Sequence, residues 1–346
     1  MCKKFKIGII GIGTIADIQA RAIQASSNLE LVSAYSRNEK HVKKFGNKYG
    51  ISAFSDWKEF INDPDLTIVS ICTPNGTHLD YGERSAKAKK HVIVEKPIEI
   101  TLERASQLIE ICKSNKVALA VIYQNRFIEG MKDLKKMLDN NGLGKLFMGD
   151  AYVKWYRSQE YYDSGDWRGS LALDGGGVLI NQAIHTIDLL QWLMGDVASI
   201  FGQTGTITHE LEGEDNAVAT LRFKNGAIGV MQASTSIQPS QSRRIEIHGE
   251  NGTVMIDGET ITVLLADDKN LLKSKERSIK DSSGSSSPLG GFSIIPHKKQ
   301  FDAIAEAIYN QNEPPVSGEE SLKSLAIVMG IYESAKNNTL VNLNFG

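Results

Sequence analysis

Residues 8–16 read Gly-Ile-Ile-Gly-Ile-Gly-Thr-Ile-Ala, and this run constrains the fold more than any other stretch. It follows an apolar, β-rich segment, Phe5–Ile10, and opens a segment with helical periodicity, Ile15–Ala25. Strand, glycine turn and helix in that order begin a βαβ unit built to hold a dinucleotide. Gly11 permits the tight turn, Gly13 lets a pyrophosphate approach the backbone, and Ala16 is small enough for helix and strand to pack closely. The helix start at Thr14 and Ile15 then presents free N–H groups and a positive dipole end to the phosphates.

The same alternation continues through the first third of the chain. β-rich runs fall at Leu29–Tyr35, Leu66–Cys72, His91–Val94 and Val117–Ile122, with helical periodicity at Glu39–Tyr49, Leu79–Lys89 and Leu102–Asn115 between them. Right-handed crossovers make this a doubly wound parallel sheet over residues 1–124. After Gln124 the pattern changes. A helix near Ile128–Asp139 precedes strands at Phe147–Tyr156, Ser199–Thr208, Ala217–Phe223, Ala227–Ser234, Ser242–Gly249 and Thr253–Asp257. Tight turns at Lys224-Asn225-Gly226 and Glu250-Asn251-Gly252 imply antiparallel pairing. Residues 125–346 therefore read as an α+β substrate-binding and oligomerisation domain with a large, mostly antiparallel sheet. One helix, Gly177–Met194, interrupts the strands, residues 281–291 read as a loop, and helices near His297–Gln311 and Gly318–Asn337 follow.

Composition narrows the function classes. The net charge is -2, so nothing asks for nucleic acid or an anionic membrane as partner. Three cysteines, Cys2, Cys72 and Cys112, form no disulfide framework and no metal-ligand spacing, which points to a reducing cytoplasm and no metal. No apolar run is long enough to span a bilayer.

The carboxyl ends of parallel strands are where ligands bind in such a sheet. Beyond Leu29–Tyr35 stand Ser36 and Arg37 in place of an acidic residue. A 2′-phosphate meets no repulsion there and Arg37 can pair with it, so NADP is favoured over NAD. Thr73, Pro74, Asn75 and His78 line the next strand end. After His91–Val94 come Glu95 and Lys96, and Pro97 restricts the backbone of Lys96. A lysine in a water-poor cleft moves a proton or binds a substrate oxygen; the alternative is a strand-end lysine in solvent. Further on, Asp174-Gly-Gly-Gly177 leads into a helix on which Asn181, His185 and Asp188 share a face beside the stripe Ile180, Ile184 and Ile187.

Taken together, the Gly-x-Gly-x-x-Ala start, Thr73-Pro74-Asn75, Glu95-Lys96-Pro97, Arg126, Gly175-Gly-Gly177…His185-x-x-Asp188 and the ending Glu319…Ile331-Tyr-Glu-Ser334-Ala335 resemble the glucose–fructose oxidoreductase/inositol dehydrogenase (Gfo/Idh/MocA) family. The resemblance implies hydride transfer between a sugar, cyclitol or sugar-nucleotide carbon and NAD or NADP. It implies Lys96 and His185 at the reacting carbon, His185 taking the hydroxyl proton while Lys96 offsets charge on the same oxygen; the residues alone leave open which is the base. It also places Arg126 in the substrate site. Asn181 departs from the aspartate common in the family, so a proton relay through that position is lost. Asn181-Gln182-x-x-His185 with Tyr161-Tyr162 upstream looks most like dehydrogenases oxidising C3 of UDP-linked N-acetylglucosaminuronate. In the segment 155–169, Tyr156 and Trp167 suit the apolar faces of a sugar ring, and Arg157 and Arg168 a carboxylate or diphosphate, Arg168 foremost. A free-sugar or inositol dehydrogenase is the nearer alternative and a dinucleotide-sensing regulator the more distant one. An uncovered sheet face predicts a homodimer or homotetramer.

Overall fold

The computed structural model describes residues 4–266 and 293–343. In chain order the elements are β1 (Phe5–Ile10), α1 (Thr14–Gln24), β2 (Leu29–Tyr35), α2 (Glu39–Tyr49), β3 (Ser52–Phe54), α3 (Trp57–Ile61), β4 (Ile68–Ile71), α4 (His78–Lys87), β5 (His91–Val94), α5 (Leu102–Ser114) and β6 (Leu119–Val121). Then follow α6 (Met131–Asp139), β7 (Leu146–Lys154), α7 (Gln159–Asp163), α8 (Ile184–Met194), β8 (Val197–Gly205), β9 (Asn216–Phe223), β10 (Ile228–Ser234), β11 (Arg244–Gly249), β12 (Gly252–Asp257), β13 (Thr260–Leu265), α9 (Ile295–Tyr309), α10 (Gly318–Asn337) and β14 (Val341–Asn342).

The first six strands form one sheet in the order β3-β2-β1-β4-β5-β6, with every pair parallel. This is the doubly wound arrangement expected, and its direction reverses between β1 and β4, where the crevice for a dinucleotide opens. The central strands are largely apolar because helices cover both faces: Ile7, Ile9, Ile68, Val69, Ile93 and Val94 are all buried. The short strand β3 and the helix α3 were not separable in the sequence, since three residues are too few to show a period.

The second sheet has the order β13-β12-β11-β7-β10-β9-β8-β14. It is mixed: β10 runs parallel to β7, while β8–β9, β9–β10, β7–β11, β11–β12 and β12–β13 are antiparallel. Tight turns specify only neighbours in sequence. The β7–β10 pairing joins strands separated by α8 and a hairpin, so its direction is set by packing.

The chain divides into two compact units, 1–127 with 293–322 and 128–292 with 323–346. A single cut after residue 124 misses the return of α9 to the first unit. That return has a physical basis: Phe301, Ile304 and Ala305 of α9 join the core of Ile7, Ile9 and Ile23, and Gln300 donates to the Val121 carbonyl at 2.8 Å. The loop reading at 281–291 lies outside the described residues, as does Cys2; Cys72 and Cys112 are free and buried. Among the described residues no helix is long and apolar enough to cross a membrane.

Candidate active site

In the first unit the site grows from β1. Gly11 has φ +84°, a conformation that side chains with a Cβ rarely adopt, and its N–H donates to the Tyr35 carbonyl at 2.9 Å. A Cβ there would stand 2.8 Å from Thr73 Cγ2 and 2.9 Å from the Cys72 carbonyl oxygen. The turn after β1 and the end of β4 thus touch at a point only glycine fits. Gly13 is the N-cap of α1, and no side chain caps that helix end. A Cβ built on Gly13 meets nothing within 4 Å. Open space over an uncapped helix N-terminus, with Thr14 and Ile15 in its first turn, fits the pyrophosphate of a dinucleotide. Ala16 is fully buried, as close helix–sheet packing requires.

Ser36 and Arg37 follow β2, where Tyr35 enters an aromatic cluster with Trp57, Phe60 and Tyr81. The Arg84 guanidinium lies 4.0 Å from the Trp57 ring centroid. Arg84, Trp57 and Tyr81 escaped the sequence reading because they come from two elements, α3 and α4, that no local spacing joins.

Two of the cofactor candidates, His78 and Glu95, are held by the protein's own groups. His78 is fully buried, with Nδ1 2.9 Å from the Pro97 carbonyl and Nε2 3.0 Å from the Thr73 carbonyl. Both ring nitrogens are thereby committed to backbone, so His78 braces the turn after β4 against the turn after β5. Burial pushes its pKa down, against the pull of Glu99 and the two carbonyls. Glu95 is also turned inward. Gln19 donates to its Oε1 at 2.5 Å while accepting from Ser70 at 2.6 Å, and the Lys96 N–H donates to its Oε2 at 3.2 Å. Burial raises the Glu95 pKa, with Lys96 and Gln19 opposing. Lys96 remains half-buried at the end of β5 before the buried Pro97. Glu99, also fully buried, accepts from the Leu79 N–H at 3.0 Å and from Arg104 at 2.9 Å, so the same two turns are tied a second time. Thr73 accepts from Thr77 at 2.8 Å, and Asn75 is buried in the turn that Pro74 opens. Arg126, expected at the substrate, is buried and paired with Glu320 at 3.1 Å within this unit.

In the second unit the helix carrying His185 begins as a π-helical turn, Leu179–Ala183, and continues as α8. Such turns recur at functional sites because the wider coil re-aims side chains. Two members of the expected polar row are held by different partners. Asn181 donates to both carboxylate oxygens of Asp174 at 2.9 Å, Asp188 is fully buried and accepts from Ser324 at 2.9 Å, and His185 is half-buried between them in sequence. Ile180, Ile184 and Ile187 are buried as the stripe predicts.

The glycine triplet has a specific reason. Val178 donates to the Glu214 carbonyl at 2.8 Å, and a Cβ on Gly177 would penetrate that carbonyl oxygen. A Cβ on Gly176 would overlap the Tyr332 hydroxyl. The Glu214 carboxylate accepts from the N–H groups of Gly177 (2.9 Å) and Leu179 (2.7 Å) and from Tyr332 (3.0 Å). Nothing in the local sequence announced Glu214, and Asp174 stood there only as the start of the glycine run.

Upstream, the Arg168 guanidinium lies 4.4 Å from the Tyr161 ring centroid and 4.6 Å from that of Trp167, and donates to the Tyr161 hydroxyl at 2.8 Å. Gln182, on the π-helical turn, reaches the same hydroxyl at 3.4 Å. Arg157 stacks on Tyr161 and Trp155. The structure therefore gathers Arg168, Trp167 and Gln182 around Tyr161, while the Tyr156 N–H bonds Ser240 at 2.8 Å.

A dinucleotide-binding sheet followed by a domain with this glycine-led helix defines an NAD-binding oxidoreductase. Residues 5–123 match the oxidoreductase family with an NAD-binding Rossmann fold, and residues 131–255 match the GFO/IDH/MocA C-terminal domain. The chain belongs to the Gfo/Idh/MocA oxidoreductase family. It is 30% identical to the myo-inositol 2-dehydrogenase of Thermotoga maritima over 76% of this chain and 79% of that protein. It is similar to the WlbA dehydrogenase of Bordetella pertussis, solved with NADH and UDP-GlcNAcA, at 30% identity, TM-score 0.86 and 99% coverage of both chains. A second WlbA dehydrogenase, from Chromobacterium violaceum, gives 27% identity and TM-score 0.87 over 100% of this chain and 98% of that one.

Proposed function

We propose that this oxidoreductase oxidises a hydroxyl carbon of a UDP-linked sugar uronate, with C3 of UDP-N-acetylglucosaminuronate the favoured position. The observation that carries the reading is Arg168, a guanidinium stacked between Tyr161 and Trp167 beside the helix of His185. Aromatic faces suit a sugar ring, and a flat, fixed guanidinium suits a carboxylate or diphosphate. The likeness to the two WlbA dehydrogenases solved with UDP-GlcNAcA supports it.

Bound nicotinamide supplies the hydride acceptor. The chain's own part is to hold the dinucleotide through Gly11, Gly13, Thr14 and Ile15 and to move the proton. In this reading His185 takes the hydroxyl proton, and Lys96 hydrogen-bonds the same oxygen and offsets its developing charge. Asn181 relays no proton; held by Asp174, it orients its end of the helix. Ser36 and Arg37 leave room and charge for a 2′-phosphate, so NADP is the preferred dinucleotide within this reading.

Turnover with UDP-sugars, their uronates, free hexoses and inositols, each with NAD and NADP, tests this. The expected signal is confined to a UDP-uronate and stronger with NADP. Equal turnover of free sugars and nucleotide sugars sinks the substrate assignment. A second reading, inositol or free-sugar oxidation, is favoured by the likeness to the Thermotoga inositol dehydrogenase; turnover of polyols alone would select it.

Two copies of the chain are expected to pair through the open face of the second sheet. On β9 the exposed Val218, Thr220 and Arg222 alternate with buried Ala219, Leu221 and Phe223. Ile228 pairs in register with Arg222 and with Met148, which extends the patch across three strands. Asp150 and Glu246 lie among Lys154, Arg222 and Arg244, so both signs of charge are present, as a self-complementary two-fold interface needs. Light scattering at micromolar concentration should give a multiple of the 38.0 kDa chain mass; a monomer mass refutes the pairing.

A further inference from the structure

We propose that Glu214 is a positioning residue for His185: its carboxylate closes the N-terminus of the His185 helix and sets how readily His185 holds a proton. The proposal rests on the functional reading only in calling His185 the proton acceptor.

The geometry is complete on one side of the helix. The first N–H groups of a helix have no intrahelical acceptor. Here three successive ones, from Gly177, Val178 and Leu179, all end on Glu214, two on its carboxylate and one on its carbonyl. The glycines are what allow this. Any Cβ at 176 or 177 would collide with Tyr332 or with the Glu214 backbone. One residue therefore replaces the cap that a serine or aspartate at the helix start would ordinarily provide.

A capping carboxylate carries a charge, and that charge acts along the helix. The N-terminal end of a helix is positive, most strongly in its first turn, and a protonated imidazole eight residues on, at His185, meets only the remainder of that field. An ionised Glu214 cancels that field and keeps His185 basic; a protonated Glu214 does not. Glu214 is able to switch near neutrality. Burial, opposed by the two N–H groups and the Tyr332 hydroxyl, pushes its pKa up to about 7. Glu214 and Tyr332 also line an open cavity of about 420 Å³ with Thr204, Thr206, Glu212 and Lys336, so protons reach the pair from solvent. Of the other charged or titratable groups near it, Lys336 is the cation of the cavity and Glu212 accepts from the Leu171 N–H at 2.8 Å. Tyr332 on α10 donates to it, Asp174 is held by Asn181 and the Gly169 N–H, and Asp215 is held by His209 and the N–H groups of Ile207 and Thr208.

Histidine-selective NMR titration of the full chain, with His185 assigned from the spectrum of His185→Asn, tests the proposal without any substrate. In Glu214→Gln the His185 midpoint should fall by about 0.2–0.3 pH unit, less than a first-turn helix-end effect because His185 stands eight residues past the cap, while His248 stays in place. Tyr332→Phe keeps every backbone N–H capped, withdraws one donor from the carboxylate and makes Glu214 protonate at higher pH. It should lower the fraction of His185 protonated near pH 7 in the same sense but by less. An unchanged His185 midpoint in a natively folded Glu214→Gln overturns the proposal. If that variant does not fold, an unchanged His185 in Tyr332→Phe overturns it. Coupling seen by NMR together with a pH–rate profile insensitive to His185 would count against the functional reading and leave the positioning role standing.

Discussion

Gly177→Ala should destabilise the protein by about 3 kcal/mol or more, enough to lower a denaturant midpoint sharply or prevent folding. The added methyl overlaps the Glu214 carbonyl oxygen and stands 2.7 Å from the carbonyl carbon and 2.8 Å from the Glu214 nitrogen. Every one of these neighbours is backbone, so no side chain can turn aside. Relief requires the helix start to withdraw from Glu214, which strips the N–H groups of Gly177, Val178 and Leu179 of their acceptors. Gly13→Ala is the contrast. Its Cβ meets nothing within 4 Å and its φ of -72° is ordinary for alanine, so stability should barely move. Dinucleotide affinity should fall instead, because the methyl fills the space over the α1 N-terminus. Urea unfolding and nucleotide titration of both variants check the pair. A Gly177→Ala protein with native stability would show that the contact with Glu214 is looser than described.

Lys96→Ala should reduce kcat by about 1,000-fold, equivalent to about 4 kcal/mol of transition-state stabilisation, with dinucleotide binding retained. The size follows from what the side chain is asked to do. Charge develops on one substrate oxygen, and a cation hydrogen-bonded to it acts in the transition state far more than in the ground state. The surroundings of Lys96 are built to hold its backbone. Its N–H is bonded to Glu95, whose carboxylate is anchored by Gln19 and through it by Ser70, and His78 grips the Pro97 carbonyl. Removing the side chain therefore leaves this frame in place. Steady-state kinetics beside an equilibrium nucleotide titration separates the two effects. Turnover within tenfold of the native protein would remove Lys96 from the chemistry.

Much of this arrangement was legible in the chain. The Gly-x-Gly-x-x-Ala run, the alternation of strands and helices and the glycine-led helix each state a local rule, and local rules survive in sequence. The first sheet and the family followed from them. Within the candidate site the reading was uneven. Gly11, Gly13 and Ala16 stand where the fingerprint puts them. His78, Glu95 and Arg126 carry the residue types of a site yet serve as buried braces, because burial and partner choice are set by elements distant in the chain. Arg126 meets Glu320, 194 residues away, and no period or spacing records such a pairing.

By itself, then, the sequence determined most of the longer strands and helices, that a dinucleotide turn opens the chain, and which family it joins. These are consequences of periodicity and of what glycine, proline and small residues permit over a few positions. The tertiary structure alone decided that β10 lies parallel to β7, that α9 returns to the first core, and that the His185 helix starts with a π-helical turn. It alone decided that a glutamate 37 residues beyond Gly177 closes that helix. Each of these depends on which distant surfaces fill one another's space and satisfy one another's hydrogen bonds, and that is a property of the packed chain.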